Sequence, residues 1–174
     1  MYAVKEVRSG NILVEENPVV YRWWFKQSAV KKLLKKLNKY IIWDDLCEQN
    51  IHGQNYVLLY VGKGNSGKGR LVDYHILDKN NFHKTGILNG RISSLRASVC
   101  GLLDIPMSTG RAFIDSYFDN NCYVEWSVIK TDLKDAETKD LKSKYLPLND
   151  HHLKSVHAKT HRKILRECKK KMRK

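Results

Sequence analysis

The sequence has no long hydrophobic run, no closely spaced cysteine pair and comparatively few acidic residues. No apolar run approaches membrane-spanning length and the N-terminus lacks the form of a signal peptide, so we expect a cytoplasmic protein without membrane contact. The four cysteines form no C-x-x-C pair, which argues against a zinc ribbon and against a disulfide framework. Reduced thiols are the simplest interpretation.

The shortage of acidic residues leaves a large positive charge. Lysine and arginine number 32 against 18 aspartate and glutamate, and the net charge is +14. The segment 151–174 holds ten basic residues and one acidic residue, so it supplies +9 of this charge. Such a balance favours a polyanion as partner, most commonly nucleic acid. Charge alone does not distinguish a nuclease from a passive binding protein.

The length and the 42% hydrophobic content predict one folded domain with an appendage. Alternating or β-branched runs predict strands at 19–25, 56–61 and 122–129. Periodic apolar residues predict helices after Ser28, at 70–77, at 92–103, up to Phe118 and from Thr131 or Asp132 to Pro147, and part of the basic tail is also expected to be helical. The fold class expected from this pattern is α+β, with a small, mostly antiparallel three-stranded sheet flanked by helices.

The stretch "LYVGKGNSGKGR", residues 59–70, raises the question of phosphate binding. Gly62, Gly67 and Lys68 fit the phosphate-binding loop G-x-x-x-x-G-K, and a predicted strand precedes them. That loop requires a Ser or Thr next, whose hydroxyl holds magnesium, and this chain has Gly69 instead. The match is therefore better explained as chance, which leaves a glycine-rich turn or another kind of phosphate chemistry.

Three distant parts of the sequence together resemble the GIY-YIG nuclease family. "VVY" at 19–21 resembles the first half of its signature, with Val in place of the first glycine, and "YVG" at 60–62 resembles the second half. Arg70 follows ten residues after the second tyrosine. Glu137 lies on a later predicted helix, twelve residues before Asn149. This spacing is similar to that of the incision nuclease of bacterial excision repair, and the pattern is also similar to GIY-YIG restriction enzymes.

The resemblance implies a nuclease domain over 1–150, with insertions at about 26–55 and 76–120, and a basic extension at 151–174. It implies the catalytic set Tyr21, Tyr60, Lys63, Arg70, Tyr74, Glu137 and Asn149. Glu137 would hold Mg²⁺ (or Mn²⁺), a hard ion that keeps most of its waters. The guanidinium of Arg70 would contact phosphate oxygens, and Tyr21 or Tyr60 would activate the water.

Further basic side chains are candidates for contact with the DNA backbone. They are Lys68, Arg91, Arg96, Arg162, Lys163 and Arg166. The other interpretation of the set is purely structural: the tyrosines would lie in the core, Arg70 would form a surface ion pair, and Asn149 would form a turn. His157 and His161 are spaced like two zinc ligands on a helix, but no third ligand is indicated and phosphate contact is the better interpretation.

The function expected from these residues is a divalent-metal-dependent endonuclease acting on double-stranded DNA. A restriction-type enzyme is favoured, because no separate DNA-binding domain is evident and recognition would come from the insertions and the tail. Such an enzyme could act as a homodimer and would accompany a cognate methyltransferase. The alternatives are a structure-specific repair or recombination nuclease and, from a different class, a non-catalytic nucleic-acid-binding module.

Overall fold

The computed structural model describes residues 1–79, 93–106, 110–149 and 157–171, and its centre is one antiparallel sheet of five strands. The order across the sheet is β1-β5-β2-β4-β3. The strands are β1 (Tyr2–Ala3), β2 (Val19–Lys26), β3 (Glu48–Ile51), β4 (Gln54–Gly64) and β5 (Cys122–Val128).

Helices cover both faces of the sheet. The α-helices are α1 (Val4–Arg8), α2 (Gln27–Leu33), α3 (Ser94–Leu103), α4 (Arg111–Asn121), α5 (Leu133–Ser143) and α6 (Ala158–Lys171). A π-helix spans Lys68–Ile76, and two 3₁₀ helices span Lys35–Tyr40 and Trp43–Asp45. Within the described ranges, no helix has the length and apolar character needed to cross a membrane.

Strand β2 lies at the centre of the sheet and is buried on both faces. Tyr21, Trp23 and Phe25 face one hydrophobic cluster, while Val20 and Trp24 face a second, smaller cluster. A strand covered on both sides needs apolar residues at every position, which explains its nearly unbroken apolar sequence. The larger cluster includes residues of α2, α3, α4 and α6, and the smaller one includes residues of α5.

The predicted α+β class is confirmed, but the predicted number of strands is wrong. The three predicted strands correspond to β2, β4 and β5, which are neighbours in the sheet. Two edge strands were not predicted. Strand β1 has two residues, too few to show a period. Strand β3 reads "EQNI" and three of its four residues are exposed, so it carries no apolar alternation.

The helix α6 packs on the domain through one face. Ala158, His161, Leu165 and Cys168 are buried there. Helix α3 approaches closely at Gly101, where an added methyl group would lie 2.7 Å from the backbone carbonyl carbon of Cys168. The predicted helicity of the tail is therefore confirmed over 158–171, and the helix is held against the domain instead of extending away from it.

Two histidines of the described residues are fully buried, His75 and His161. His161 donates Nε2–H to the carbonyl of Pro147 at 3.0 Å, and its Nδ1 has no partner in the described part of the chain. Burial lowers the pKa of His161, and burial together with Arg70 and Arg96 lowers the pKa of His75 well below its usual value. The folded chain therefore excludes protons that the unfolded chain binds below pH of about 6.5.

We expect the free energy of unfolding to fall as the pH is lowered from 7.5 to 5.5. The limit is about 1.4 kcal/mol per pH unit for each histidine that stays neutral in the folded state. Urea denaturation at several pH values measures this slope. H161Q keeps a donor for Pro147 and should flatten the slope, whereas T160Q, at an exposed position on the same helix, should not. Identical slopes for wild type and H161Q would contradict the assignment.

Candidate active site

The first element of the site is a close contact between β2 and β4. Tyr21 stands opposite Gly62 in the register of the two strands. A methyl group at Gly62 would lie 2.6 Å from Tyr21 Oη, so the phenol ring lies directly over this glycine. Only a residue without a side chain allows the ring to take this position. The glycine of "YVG" therefore makes room for the tyrosine of "VVY".

The π-helix supplies the next two side chains. Its hydrogen bonds connect residues five positions apart, as in the 2.7 Å bond from Leu77 N to Val72 O. Residues five apart therefore lie on one face of the helix, which holds for Arg70 and His75. The guanidinium of Arg70 lies 4.0 Å above the ring centre of Tyr74. Arg70 is exposed, whereas His75 is fully buried beneath it.

Both signature tyrosines have hydrogen-bonded hydroxyl groups. Tyr21 Oη lies 2.7 Å from His75 Nε2, and His75 Nδ1 lies 2.6 Å from Ser93 Oγ. Tyr60 Oη lies 3.2 Å from Ser94 Oγ. Ser93 also caps α3 by accepting a hydrogen bond from its backbone. The first turn of α3 thus holds two groups of the site from below.

Burial sets the protonation of these groups. It raises the pKa of Tyr21 well above its usual value and raises the pKa of Tyr60, while the charge of Arg70 opposes the shift in both. Burial lowers the pKa of His75, and Arg70 and Arg96 lower it further. Near neutral pH both tyrosines are therefore phenols and His75 is a neutral imidazole.

Helix α5 brings a carboxylate to the open side of the site. Glu137 Oε2 lies 3.0 Å from Lys63 Nζ, and their side chains are 20% and 35% exposed. Arg22 on β2 holds the same helix through an ion pair with Asp140, one turn further along. The charge of Glu137 also acts on Tyr21 and Tyr60, which places all of these groups in one region.

Few side chains near Glu137 could hold a divalent metal ion. In the described ranges, no group of three or more His, Cys, Asp or Glu side chains lies close enough to hold an ion. A single partly exposed carboxylate is nonetheless a suitable ligand for Mg²⁺, which is held by one or two carboxylates together with water and phosphate oxygens. The residues present therefore fit an open magnesium site and not a closed protein cage.

Asn149 acts on the backbone of β4. Its Oδ1 accepts the N–H of Val61 at 2.9 Å, and its Nδ2 donates to the carbonyl of Val61 at 2.7 Å. Beyond Val57, where the pairing of β3 with β4 ends, the edge of β4 is bonded to Cys47 at Leu58 and to Leu148 at Leu59. The Asn149 amide continues this coverage to Val61, next to Gly62.

The side chains predicted to contact DNA differ in position and in exposure. Lys68 is exposed and pairs with Glu16 at 3.4 Å. Arg91 lies outside the described residues. Arg162, Lys163 and Arg166 line a cleft on the outer side of α6.

The prediction that Arg96 contacts the DNA backbone is wrong, because its side chain is fully buried. It donates to the carbonyls of His75 and Ile76 at 2.7 and 2.6 Å and pairs with Asp115. A guanidinium enclosed in this way does not reach a phosphate. The prediction rested on the positive charge of Arg96, and in α3 nearly every residue is buried.

Sequence reasoning missed three residues of the site. They are His75, Ser93 and Ser94. The serines are a usual start signal for a helix, which could have drawn attention to them. The π-helix, in contrast, has no simple sequence signal, so the position of His75 under Arg70 was not predictable.

Comparison with known families gave one match. The family model described as the GIY-YIG catalytic domain matches residues 19–171. Neither the curated proteins nor the solved structures gave a significant match to this chain.

We expect G62A to damage both stability and the site, because the new methyl group displaces the ring of Tyr21. Overpacking of this kind costs about 1–3 kcal/mol. Urea denaturation measures the loss. G69A is the matched control, since its methyl group would meet only the hydroxyl of Ser66, at 3.1 Å, and that side chain can rotate. Equal stability of G62A and wild type would show that Tyr21 does not need this contact.

Proposed function

The chain belongs to the GIY-YIG nuclease superfamily, and from this premise we propose that it is a divalent-metal-dependent endonuclease that cleaves double-stranded DNA. The observation that carries the proposal is the grouping of Lys63, Arg70 and Glu137 on the open side of two buried tyrosines. Phosphodiester hydrolysis requires a base for the water, positive charge for the phosphate and neutralisation of the leaving oxygen. These residues can meet each requirement.

Arg70 is the phosphate-binding residue in this proposal. Its guanidinium is exposed, permanently charged and supported from below by the ring of Tyr74. The planar group can donate two parallel hydrogen bonds to phosphate oxygens, which a lysine does not reproduce. The stacking on Tyr74 limits the directions that Arg70 can take, so this tyrosine orients the phosphate contact.

Glu137 is the residue that would hold the metal. When bound there, Mg²⁺ or Mn²⁺ would stabilise the charge that develops on the phosphate and the leaving oxygen. In the protein as it stands, the ammonium group of Lys63 forms an ion pair with the Glu137 carboxylate. This ion pair keeps the ammonium group within reach of a phosphate bound to Arg70. Asn149 holds the backbone from which Lys63 projects.

Helix α6 supplies a second surface for the DNA backbone. Fourteen residues make it about 21 Å long, and its outer side carries Lys159, Arg162, Lys163, Arg166 and Lys170 with Glu167 as the acidic exception. Because the opposite side of the helix is buried against the domain, these charges have a fixed position relative to Lys63, Arg70 and Glu137. They would bind phosphates without reading the sequence.

The finer class of enzyme is also part of the proposal. We favour a restriction-type nuclease, which would act as a homodimer and accompany a cognate methyltransferase, over a repair or recombination nuclease that reads DNA shape. The support is that recognition has to come from the segments around 26–55 and 76–120. The division into a nuclease domain at 1–150 and an extension at 151–174 stays a prediction.

We expect E137Q to abolish cleavage of plasmid DNA in Mg²⁺, with a loss of at least about 10²-fold, because the amide removes the anionic metal ligand. DNA binding should persist, and Mn²⁺ binding measured by electron paramagnetic resonance should weaken. D135N is the matched control, an equal charge change at an exposed site on the same helix. Cleavage by E137Q at the wild-type rate would refute the metal assignment. No cleavage by the wild type would leave only a binding protein.

We expect R162Q/K163Q/R166Q to weaken binding to all DNA sequences. The slope of log K against log salt should become less negative by up to about 3, since each lost phosphate contact contributes about 0.9. Binding titrations between 50 and 200 mM salt measure both quantities. The control K5Q/K130Q/K142Q removes the same charge from exposed positions outside α6 and outside the segments 26–55 and 76–120. Equal effects in the two triple variants would show that net charge, and not this face of α6, accounts for binding.

A further inference from the structure

A chain of three hydrogen-bonded side chains leads from the site into the core. It begins at Tyr21 Oη, continues through both ring nitrogens of His75 and ends at Ser93 Oγ, with distances of 2.7 and 2.6 Å. Among the described residues, the hydroxyl of Tyr60 bonds Ser94 at 3.2 Å and its ring meets the ring of His75 edge-on, with centroids 6.0 Å apart. The two signature tyrosines therefore differ in one respect: in the described part of the chain, only the hydroxyl of Tyr21 is hydrogen-bonded to a group that can take up a proton.

The surroundings of Ser93 indicate the tautomer of His75. Ser93 Oγ accepts the backbone N–H of Arg96 at 3.2 Å. A serine oxygen has two lone pairs and can accept a second hydrogen bond, from His75 Nδ1–H. With the proton on Nδ1, the lone pair of Nε2 faces the hydroxyl of Tyr21. We assign this tautomer to the resting protein.

We propose that His75 accepts the hydroxyl proton of Tyr21 and thereby makes Tyr21, and not Tyr60, the general base. The inference rests on the proposed nuclease function. As the water oxygen bonds to phosphorus, one water proton passes to Tyr21 Oη and the proton of Tyr21 passes to His75 Nε2. The leaving oxygen departs with the electron pair of its bond to phosphorus. His75 acts through Tyr21 and is a positioning residue.

The charges around His75 suit a transient transfer. Polar and charged groups from five elements surround the ring. They are Tyr21 on β2, Tyr60 on β4, Arg70 and Tyr74 on the π-helix, Ser93 and Arg96 at the start of α3, and Asp115 on α4, which pairs with Arg96. Arg70 disfavours an imidazolium in the free protein, so the ring stays neutral and ready to accept. A phosphate bound to Arg70 would offset that charge at the moment of reaction.

The test is single-turnover plasmid cleavage between pH 6.5 and 9.5 by wild type, H75Q, Y21F and H75Q/Y21F. The wild-type rate should be nearly independent of pH. H75Q should be at least about 10²-fold slower at pH 7. Its rate should rise about tenfold per pH unit, because Tyr21 must then lose its proton to solvent and its pKa lies well above 10. H75Q/Y21F should be no slower than Y21F.

Two results would overturn the inference. One is a pH profile of H75Q parallel to that of wild type, and the other is a further loss when H75Q is added to Y21F, which is the behaviour of a residue that only stabilises the fold. S93A serves if H75Q does not fold: it should be about tenfold slower than wild type and without effect in the Y21F background. H52N, at an exposed histidine in the turn between β3 and β4, should match wild type. A wild type that cuts no DNA would overturn the proposed function together with this inference.

Discussion

The buried guanidinium of Arg96 is the interaction on which the arrangement of the site depends. An arginine stays charged inside a protein, so a fully buried one must have its donors and its charge satisfied. Arg96 meets most of this need through Nε and Nη2, which bond Asp115 and the last carbonyls of the π-helix, while its buried Nη1 has no partner among the described residues. Arg8 reaches the carbonyl of Ile76 from the other side and pairs with the same aspartate. Removing one partner of such a buried pair costs about 3–5 kcal/mol.

This network explains why the π-helix is held in one orientation. Its C-terminal end is bonded to α1 and α3 and, through Asp115, to α4, while its N-terminal end follows β4 after three residues. Both ends of the helix are thus fixed, and the direction of Arg70 and His75 follows from that. A site held within a fraction of an ångström needs such support from residues that never touch the substrate.

Helix α3 connects the two surfaces assigned to DNA. Its first turn holds His75 and Tyr60 through two serines, and its Gly101 makes the close contact with α6 at Cys168. The proposed active site and the basic helix α6 are therefore both in contact with one short helix. A phosphate chain that contacts both surfaces would meet charges whose spacing does not change. This is the physical advantage of a docked basic helix over a mobile basic tail.

Much of the fold could be predicted because its central strands and several helices have local patterns of apolar residues. The three central strands have apolar or alternating sequences, and the helices α3 and α5 have apolar residues at helical spacing. The edge strands β1 and β3 were missed because one is too short and the other is mostly exposed. Arg96 was misplaced because helical spacing cannot reveal that nearly the whole surface of α3 is covered.

By itself, the sequence determined the α+β class, the positions of Tyr21, Tyr60, Arg70 and Glu137 in the family pattern, and the concentration of positive charge in the last segment. These depend on residue type, order and spacing. Only the tertiary structure decided that His75 lies beneath Arg70 and that one tyrosine has a neutral imidazole behind it. Both depend on a π-helix whose register is set by contacts with α1 and α3. Such contacts join residues far apart in the chain, and no local pattern contains them.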